Sequence, residues 1–185
     1  MNSLEGVMVV GLTGQTGAGK TTVCKIFSEN GFSIINADHV ARQVMEKGQP
    51  CLKEICEFFG KDILLENGIL DRPKLAGLVF TDKKKLELLN SITYPYITSE
   101  ILKTIRRLSF QGNKLILLDA PTLFESRADD FCELIISVIS RDNLRLERIV
   151  ERDKISRESA QYRMDSQLKE EFFRQNSDSV SYTHL

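Results

Sequence analysis

The stretch Gly14-Gln15-Thr16-Gly17-Ala18-Gly19-Lys20-Thr21 sets glycines ahead of a lysine and a hydroxyl in the spacing G-x-x-x-x-G-K-[ST]. A polyphosphate carries several negative charges and has no flat face to stack on, so a chain that holds one must wrap it with inward-pointing amides. Such a wrap needs positive φ angles and close approach, which glycine permits. A helix starting at the end of the loop aims its N-terminal amides and dipole at the same phosphates. Lys20 adds a cation for the β and γ oxygens, and the Thr21 hydroxyl is a ligand for Mg2+. Gly14, Gly17, Ala18, Gly19, Lys20, Thr21 and Thr22 are therefore the candidates for binding the phosphates of a nucleoside triphosphate. The loop does not by itself say what is done with that triphosphate.

Two carboxylates close apolar runs, Asp38 after FSIINA and Asp119 after KLILL. Ligands of parallel α/β sheets sit beyond the carboxyl ends of the strands, so both are expected to face the loop. Asp119 reads as the acid that orients Mg2+, directly or through water. Asp38 reads as the base that accepts a proton from an attacking hydroxyl, with helix capping as the alternative. Arg42, one helical turn on, would steady a substrate phosphate or pair with Asp38. Arg141, Arg145, Arg148 and Arg152 share one helical face, and Arg157 and Arg163 follow. Arginines of this kind suit a mobile lid that excludes water and neutralises a transferring phosphoryl group. Glu147, Glu151 and Asp153 lie between them, so a solvated face is the competing reading. Arg148 and Arg152 are the lid residues expected to meet the triphosphate, with Arg148 also catalytic.

The elements that must position these groups follow from apolar patterning. Strands are expected at 7–13, 32–38, 114–121 and 133–140, each a short apolar run. A helix over 21–30 would place Val23, Ile26 and Phe27 at helical spacing and stop at Gly31. Strand–helix alternation of this kind means an α/β fold with a parallel sheet, here a three-layer P-loop NTPase core. Residues 39–111 are too many for one crossover helix and read as a helical insertion between strands two and three. It is broken at GQP (48–50), NG (67–68) and TYP (93–95), with Ile97, Ile101, Leu102, Ile105 and Leu108 as one apolar stripe. Arginine-rich helices at 142–152 and 157–173 give a helical lid over about 141–170. The core thus comprises 7–38 and 112–140, in a single domain of 185 residues. The polar tail, 174–185, reads as a frayed end.

Composition excludes several classes. A net charge of −1 offers no bulk field for nucleic acid or an anionic membrane. No apolar run nears the ~20 residues of a membrane span, and MNSLEGVMVV lacks the basic flank of a signal peptide. Cys24, Cys51, Cys56 and Cys132 show no CxxC spacing, which argues for reduced thiols in a cytosol over zinc or disulfides. A guanine-reading N-K-x-D is absent, which weighs against a GTP-dependent switch.

Several segments together resemble the dephospho-CoA kinase family. GLTGQTGAGKTTV is similar to that family's opening loop, and IINADHVARQV to its VIDADxIAR segment. The run from Gly60 through KDILLENGILDRPKLAGLVF is similar to its FG…DG-x-LDR…VF stretch, and LLDAPTLFE to its LDVPLLFE. LRLERIVERDKIS resembles the segment carrying its lid, with Arg163 and Gln167 matching the R-x-x-x-Q that follows. The resemblance implies transfer of the γ-phosphoryl of ATP to the ribose 3′-hydroxyl of dephospho-CoA, the last step of coenzyme A synthesis, by a cytoplasmic phosphotransferase. It implies a helical CoA-binding insertion; Mg2+ with ATP and the absence of a nucleic-acid or membrane partner follow from the residues already named, and a monomer or weak homo-oligomer is the expected assembly. It also implies that Asp38 is the base and that Asp38, Arg42, Leu123, Phe124 and Glu125 lie near the acceptor. Two departures stand out. Tyr94-Pro95 occupies the place of a usual His-Pro, and the tail does not resemble the family's last strand and helix, so strand four is expected to be an exposed edge. On the residues alone, another small-molecule kinase with the same core, or a fragment that binds nucleotide without turnover, stays open.

Overall fold

The structure, a computed structural model, describes residues 6–182. Part of the expected leaderless N-terminus (1–5) and the last tail residues (183–185) lie outside them. The chain divides into two compact units, Met1–Asn36 with Arg106–Leu185, and Ala37–Ile105.

The first unit is built on a parallel sheet of β1 (Met8–Gly14), β2 (Ser33–Asn36), β3 (Leu115–Asp119), β4 (Leu134–Ile139) and β5 (Ser179–Tyr182), ordered β2-β3-β1-β4-β5. Val9, Val10 and Leu12 of β1, and Ile116, Leu117 and Leu118 of β3, are all buried. That is why these strands read as continuous apolar runs rather than as alternating ones. Helix α1 (Lys20–Glu29) follows the loop directly. Val23, Cys24 and Phe27 pack on the cluster of Val10, Leu12, Ala18, Leu117 and Val138, and Phe27 meets Phe32 edge-on at 4.8 Å. Ile26 is 53% exposed, so half-buried Cys24 rather than Ile26 joins Val23 and Phe27 on the packed face. The helix ends as expected, with Gly31 at φ 85°.

The tail is the main correction to the fold. Residues 179–182 form β5, in register with β4 from Ile136↔Ser179 to Ile139↔Tyr182. Asp178 fastens the entry to this strand: its amide donates to the Ile135 carbonyl at 3.0 Å, and its carboxylate accepts from the Ile135 amide at 2.8 Å. The Ser137 and Ser177 hydroxyls meet at 2.6 Å. Four residues of mixed polarity give no periodic signal, but the unpaired edge of β4 supplies the backbone partners that such a segment needs.

After β4 come α6 (Asp142–Asp153), α7 (Arg157–Asp165) and α8 (Glu170–Gln175). The helix expected over 157–173 is thus two helices, parted around 166–169. Helices α6 and α7 share a small core of Ile149, Ala160 and Met164, flanked by Leu146, Val150 and Ile155. The Ser156 hydroxyl caps α7 by accepting from the Ser159 amide at 3.1 Å.

The second unit, Ala37–Ile105, is helical. It holds α2 (Ala37–Val44), α3 (Pro50–Phe59), α4 (Arg72–Val79) and most of α5 (Lys83–Phe110). The breaks expected at 48–50 and 67–68 occur, but α5 runs through Pro95 without interruption. Proline removes one helical hydrogen bond and crowds the carbonyl four residues back. Here Ser91 and Pro95 are both exposed, so water can satisfy that carbonyl. Of the apolar stripe, Ile101 and Ile105 are buried. The Tyr96 hydroxyl donates to Glu54 at 2.7 Å and ties α5 to α3.

Candidate active site

The loop 14–19 leaves β1 at the sheet's carboxyl end and enters α1, the strand–loop–helix context that the motif requires. Gly14, Gly17 and Gly19 all have positive φ (129°, 74° and 100°). Two of these glycines answer to neighbours of the loop as well as to any phosphate. A Cβ on Gly14 would stand 2.1 Å from the Val138 carbonyl oxygen on β4, and one on Gly17 would stand 2.7 Å from the Arg145 carbonyl oxygen on α6. We expect Gly17→Ala to cost about 1–2 kcal/mol for its left-handed backbone, and more for the clash, because α6 presents backbone there. Thermal unfolding should then fall by about 4–8 °C, with a raised KM for ATP; unchanged values of both would show that the loop can shift.

The Lys20 ammonium donates to the Gly14 carbonyl at 2.7 Å and to that of Gln15 at 3.2 Å, so the lysine folds over the loop that carries it. The Ala18 amide donates across the loop to the Gln15 carbonyl at 3.2 Å, and the Ala18 side chain is fully buried. Thr21 and Thr22 are exposed on the first turn of α1.

Asp119 ends β3 as expected, paired with Leu12 of β1 and with Asn36 of β2. The Asn36 side-chain amide donates to its carboxylate at 3.0 Å. From α1, the Cys24 thiol lies within the field of the Asp119 carboxylate. Burial, reinforced by that carboxylate, pushes the Cys24 thiol up to about 12, so it stays protonated and able to donate. The carboxylate is thus held from β2. Sequence reasoning missed this holder, because the asparagine carried no motif.

Asp38 does not end a strand. β2 stops at Asn36, and Asp38 lies exposed in the first turn of α2. A carboxylate there is favoured by the helix dipole. Arg42 follows one turn later, and its carbonyl accepts from the Arg72 guanidinium at 3.2 Å. Arg72 is held below the usual arginine range, by burial first and then by the positive charge of Arg42. Two like charges are thereby gathered beside Glu46. Arg72 is a further candidate that the sequence reading passed over within the run LDRPKL.

The stripe of arginines divides. Arg145, 2% exposed, donates from Nε to the Thr16 carbonyl at 3.0 Å, and to Asp142 and Gln167 at 2.8 and 3.3 Å. Arg148 donates to the Gly17 carbonyl at 3.1 Å. Arg152 instead pairs with both oxygens of Asp153 at 2.7 and 2.9 Å, and Arg163 joins the same carboxylate. Asp153 is accordingly held below the usual carboxylate range, chiefly by Arg152. The solvated-face reading therefore describes Arg152, whereas Arg145 and Arg148 reach the loop.

Leu123 is fully buried against Gly11 and belongs to the core rather than to a binding surface. Phe124 meets Phe172 and Phe173 of α8 at 5.2 and 6.3 Å. Glu125 is exposed as a residue, yet partial desolvation of its carboxyl raises its pKa above the usual range. Among the described residues, no group of three or more His, Cys, Asp or Glu side chains gathers to hold a metal.

Known proteins resemble this chain in sequence and in fold. The sequence model of the dephospho-CoA kinase family matches residues 8–181, into β5. A protein of Listeria innocua named dephospho-CoA kinase is 39% identical over 181 residues, covering 94% of this chain and 90% of that one. One of Fusobacterium nucleatum with the same name is 43% identical over 165 residues, covering 89% and 83%. Among solved structures, TT1252 from Thermus thermophilus superposes with a TM-score of 0.83 at 27% identity, covering 96% of this chain and 88% of that one. Dephospho-CoA kinase from Campylobacter jejuni gives 0.68 at 29% identity, with 95% and 87% covered. With a phosphate loop in its required context and a family match that spans the sheet from β1 to β5, the chain belongs to the dephospho-CoA kinase family.

Proposed function

We propose that this chain transfers the γ-phosphoryl of ATP to the ribose 3′-hydroxyl of dephospho-CoA, giving CoA and ADP in the final step of coenzyme A synthesis. The observation that carries this reading is the loop 14–21, set between β1 and α1 in a chain that matches the family over residues 8–181. Phosphoryl transfer asks little covalent chemistry of the protein; it asks for positioning and charge neutralisation. In this reading the amides of Gly17, Ala18 and Gly19 and those of Thr21 and Thr22 at the start of α1 hold the phosphates. Lys20 leaves the loop carbonyls for the β and γ oxygens. Asp38 takes the proton of the attacking hydroxyl. Arg42 and Arg72 bind the anionic part of the acceptor, a role supported by the two like charges they bring together. The segment 141–170 serves as the lid, with Arg148 as its contribution to the triphosphate.

Thr21 and Asp119 offer a hydroxyl and a carboxylate, hard oxygen donors that suit Mg2+. With so few protein ligands, such an ion would be shared with phosphate oxygens and water, and when bound it would offset the charge of the triphosphate. Asn36 would hold Asp119 ready for it. We read the compartment as cytoplasmic: the cysteines are all free thiols, and no helix among the described residues is long and apolar enough to cross a membrane.

The test is an ADP-release assay with ATP and Mg2+ against dephospho-CoA, AMP, CMP and shikimate. Turnover is expected with dephospho-CoA; turnover with AMP instead would overturn the assignment.

A further inference from the structure

The loop's carbonyls are gripped from behind by α6. Arg145 holds the Thr16 carbonyl at 3.0 Å, and Arg148 holds the next one, Gly17, at 3.1 Å. In a trans peptide the C=O and the N–H point in opposite directions. Pulling the carbonyls of Thr16 and Gly17 toward α6 therefore turns the amides of Gly17 and Ala18 the other way. The Ala18 amide does point across the loop, to the Gln15 carbonyl. The Thr16 amide lies on the outer side with its own carbonyl. It donates to Gln167 Oε1 at 2.9 Å, and the same oxygen accepts from Arg145 at 3.3 Å. Gln167 stands in the link between α7 and α8, so one side chain joins the loop, α6 and the end of the lid.

Arg145 is an expensive way to fill space. Its side chain is 3% exposed, while that of its acidic partner Asp142 is 82% exposed. Burying a cation costs several kcal/mol before its partners offset it, and an apolar residue of similar volume would avoid that cost. Fold stability alone does not call for a guanidinium here; gripping a carbonyl while keeping a positive charge beneath an anion site does.

We infer that Arg145 and Gln167 are a positioning pair, which aims the Gly17 and Ala18 amides at the triphosphate by holding Thr16 from outside the loop. This rests on the reading that ATP phosphates occupy the loop. Neither residue touches the reacting atoms.

Arg145→Met keeps the volume and removes the donors and the charge. It is expected to raise KM for ATP by about tenfold while KM for dephospho-CoA stays within about twofold. Gln167→Leu should raise KM for ATP by about threefold, having lost only the shared acceptor. Arg145→Lys should recover part of the loss, since it restores charge without the fork. Calorimetry with inorganic tripolyphosphate should show weakened binding in step with KM, whereas adenosine binding should not change. If both variants keep wild-type KM for ATP and wild-type tripolyphosphate affinity, the inference is wrong, whatever their melting temperatures. Should Arg145→Met fail to fold, Gln167→Leu decides by the same two readouts. The tripolyphosphate experiment needs no acceptor. A wild-type protein that binds it but leaves dephospho-CoA untouched would defeat the proposed reaction and leave this inference standing.

Discussion

Lys20→Ala is expected to lower kcat/KM for ATP by about a thousandfold or more, the range seen when a single cation is removed from a transferring phosphoryl group. The ammonium does two things that the substitution abolishes. In the free protein it closes the loop by bonding the Gly14 and Gln15 carbonyls at 2.7 and 3.2 Å. In the proposed reaction it neutralises charge as the terminal phosphoryl transfers. Lys20→Met separates these effects from packing, because the stem remains and only the charged head goes. Equal losses in the two variants, with thermal unfolding little changed, would assign the effect to charge. A Met variant near wild-type activity would mean that the loop amides carry the neutralisation without Lys20, and the mechanism would have to be redrawn.

Asp38→Asn should lower kcat by about a hundred- to a thousandfold with little change in KM for ATP, as expected for loss of a general base. The substitution preserves size and hydrogen-bonding reach and removes only the charge and basicity. Asp38 is exposed in the first turn of α2, so the loss of its interaction with the helix dipole should cost only about 0.3–1 kcal/mol of stability. A kinetic effect far larger than the stability effect separates catalysis from helix support. An unchanged kcat would remove Asp38 as the base and leave it as the dipole-stabilising acid of α2.

Much of this was legible in the sequence because it is local. Strand, loop and helix follow one another without interruption from Met8 to Glu29, and the glycine and lysine spacing carries its own chemistry. The ends of β3 and β4 fell within a residue or two of expectation, since buried parallel strands are unbroken apolar runs. The misreadings came where a distant part of the chain decides. Residues 179–182 look like a loose end until β4 offers its edge. Asp38 seemed to close a strand because an apolar run passes into a helix without a break, whereas β2 can extend only as far as β3 pairs with it, to Asn36↔Asp119.

From the residues alone it follows that a phosphate loop joins the first strand to the first helix, and that an acid stands at the end of the strand beside it. Eight contiguous residues and a short apolar run suffice for both. Which arginines serve the loop depends on packing, because Arg145 and Arg152 stand on one helical stripe and differ only in what lies opposite them. Arg145 meets the Thr16 carbonyl, 129 positions away in sequence, while Arg152 meets the neighbouring Asp153. Likewise Gly14 and Gly17 leave room for the Val138 and Arg145 backbones as much as for any ligand. A helical stripe read from sequence gives direction around an axis; only packing says what the axis is placed against.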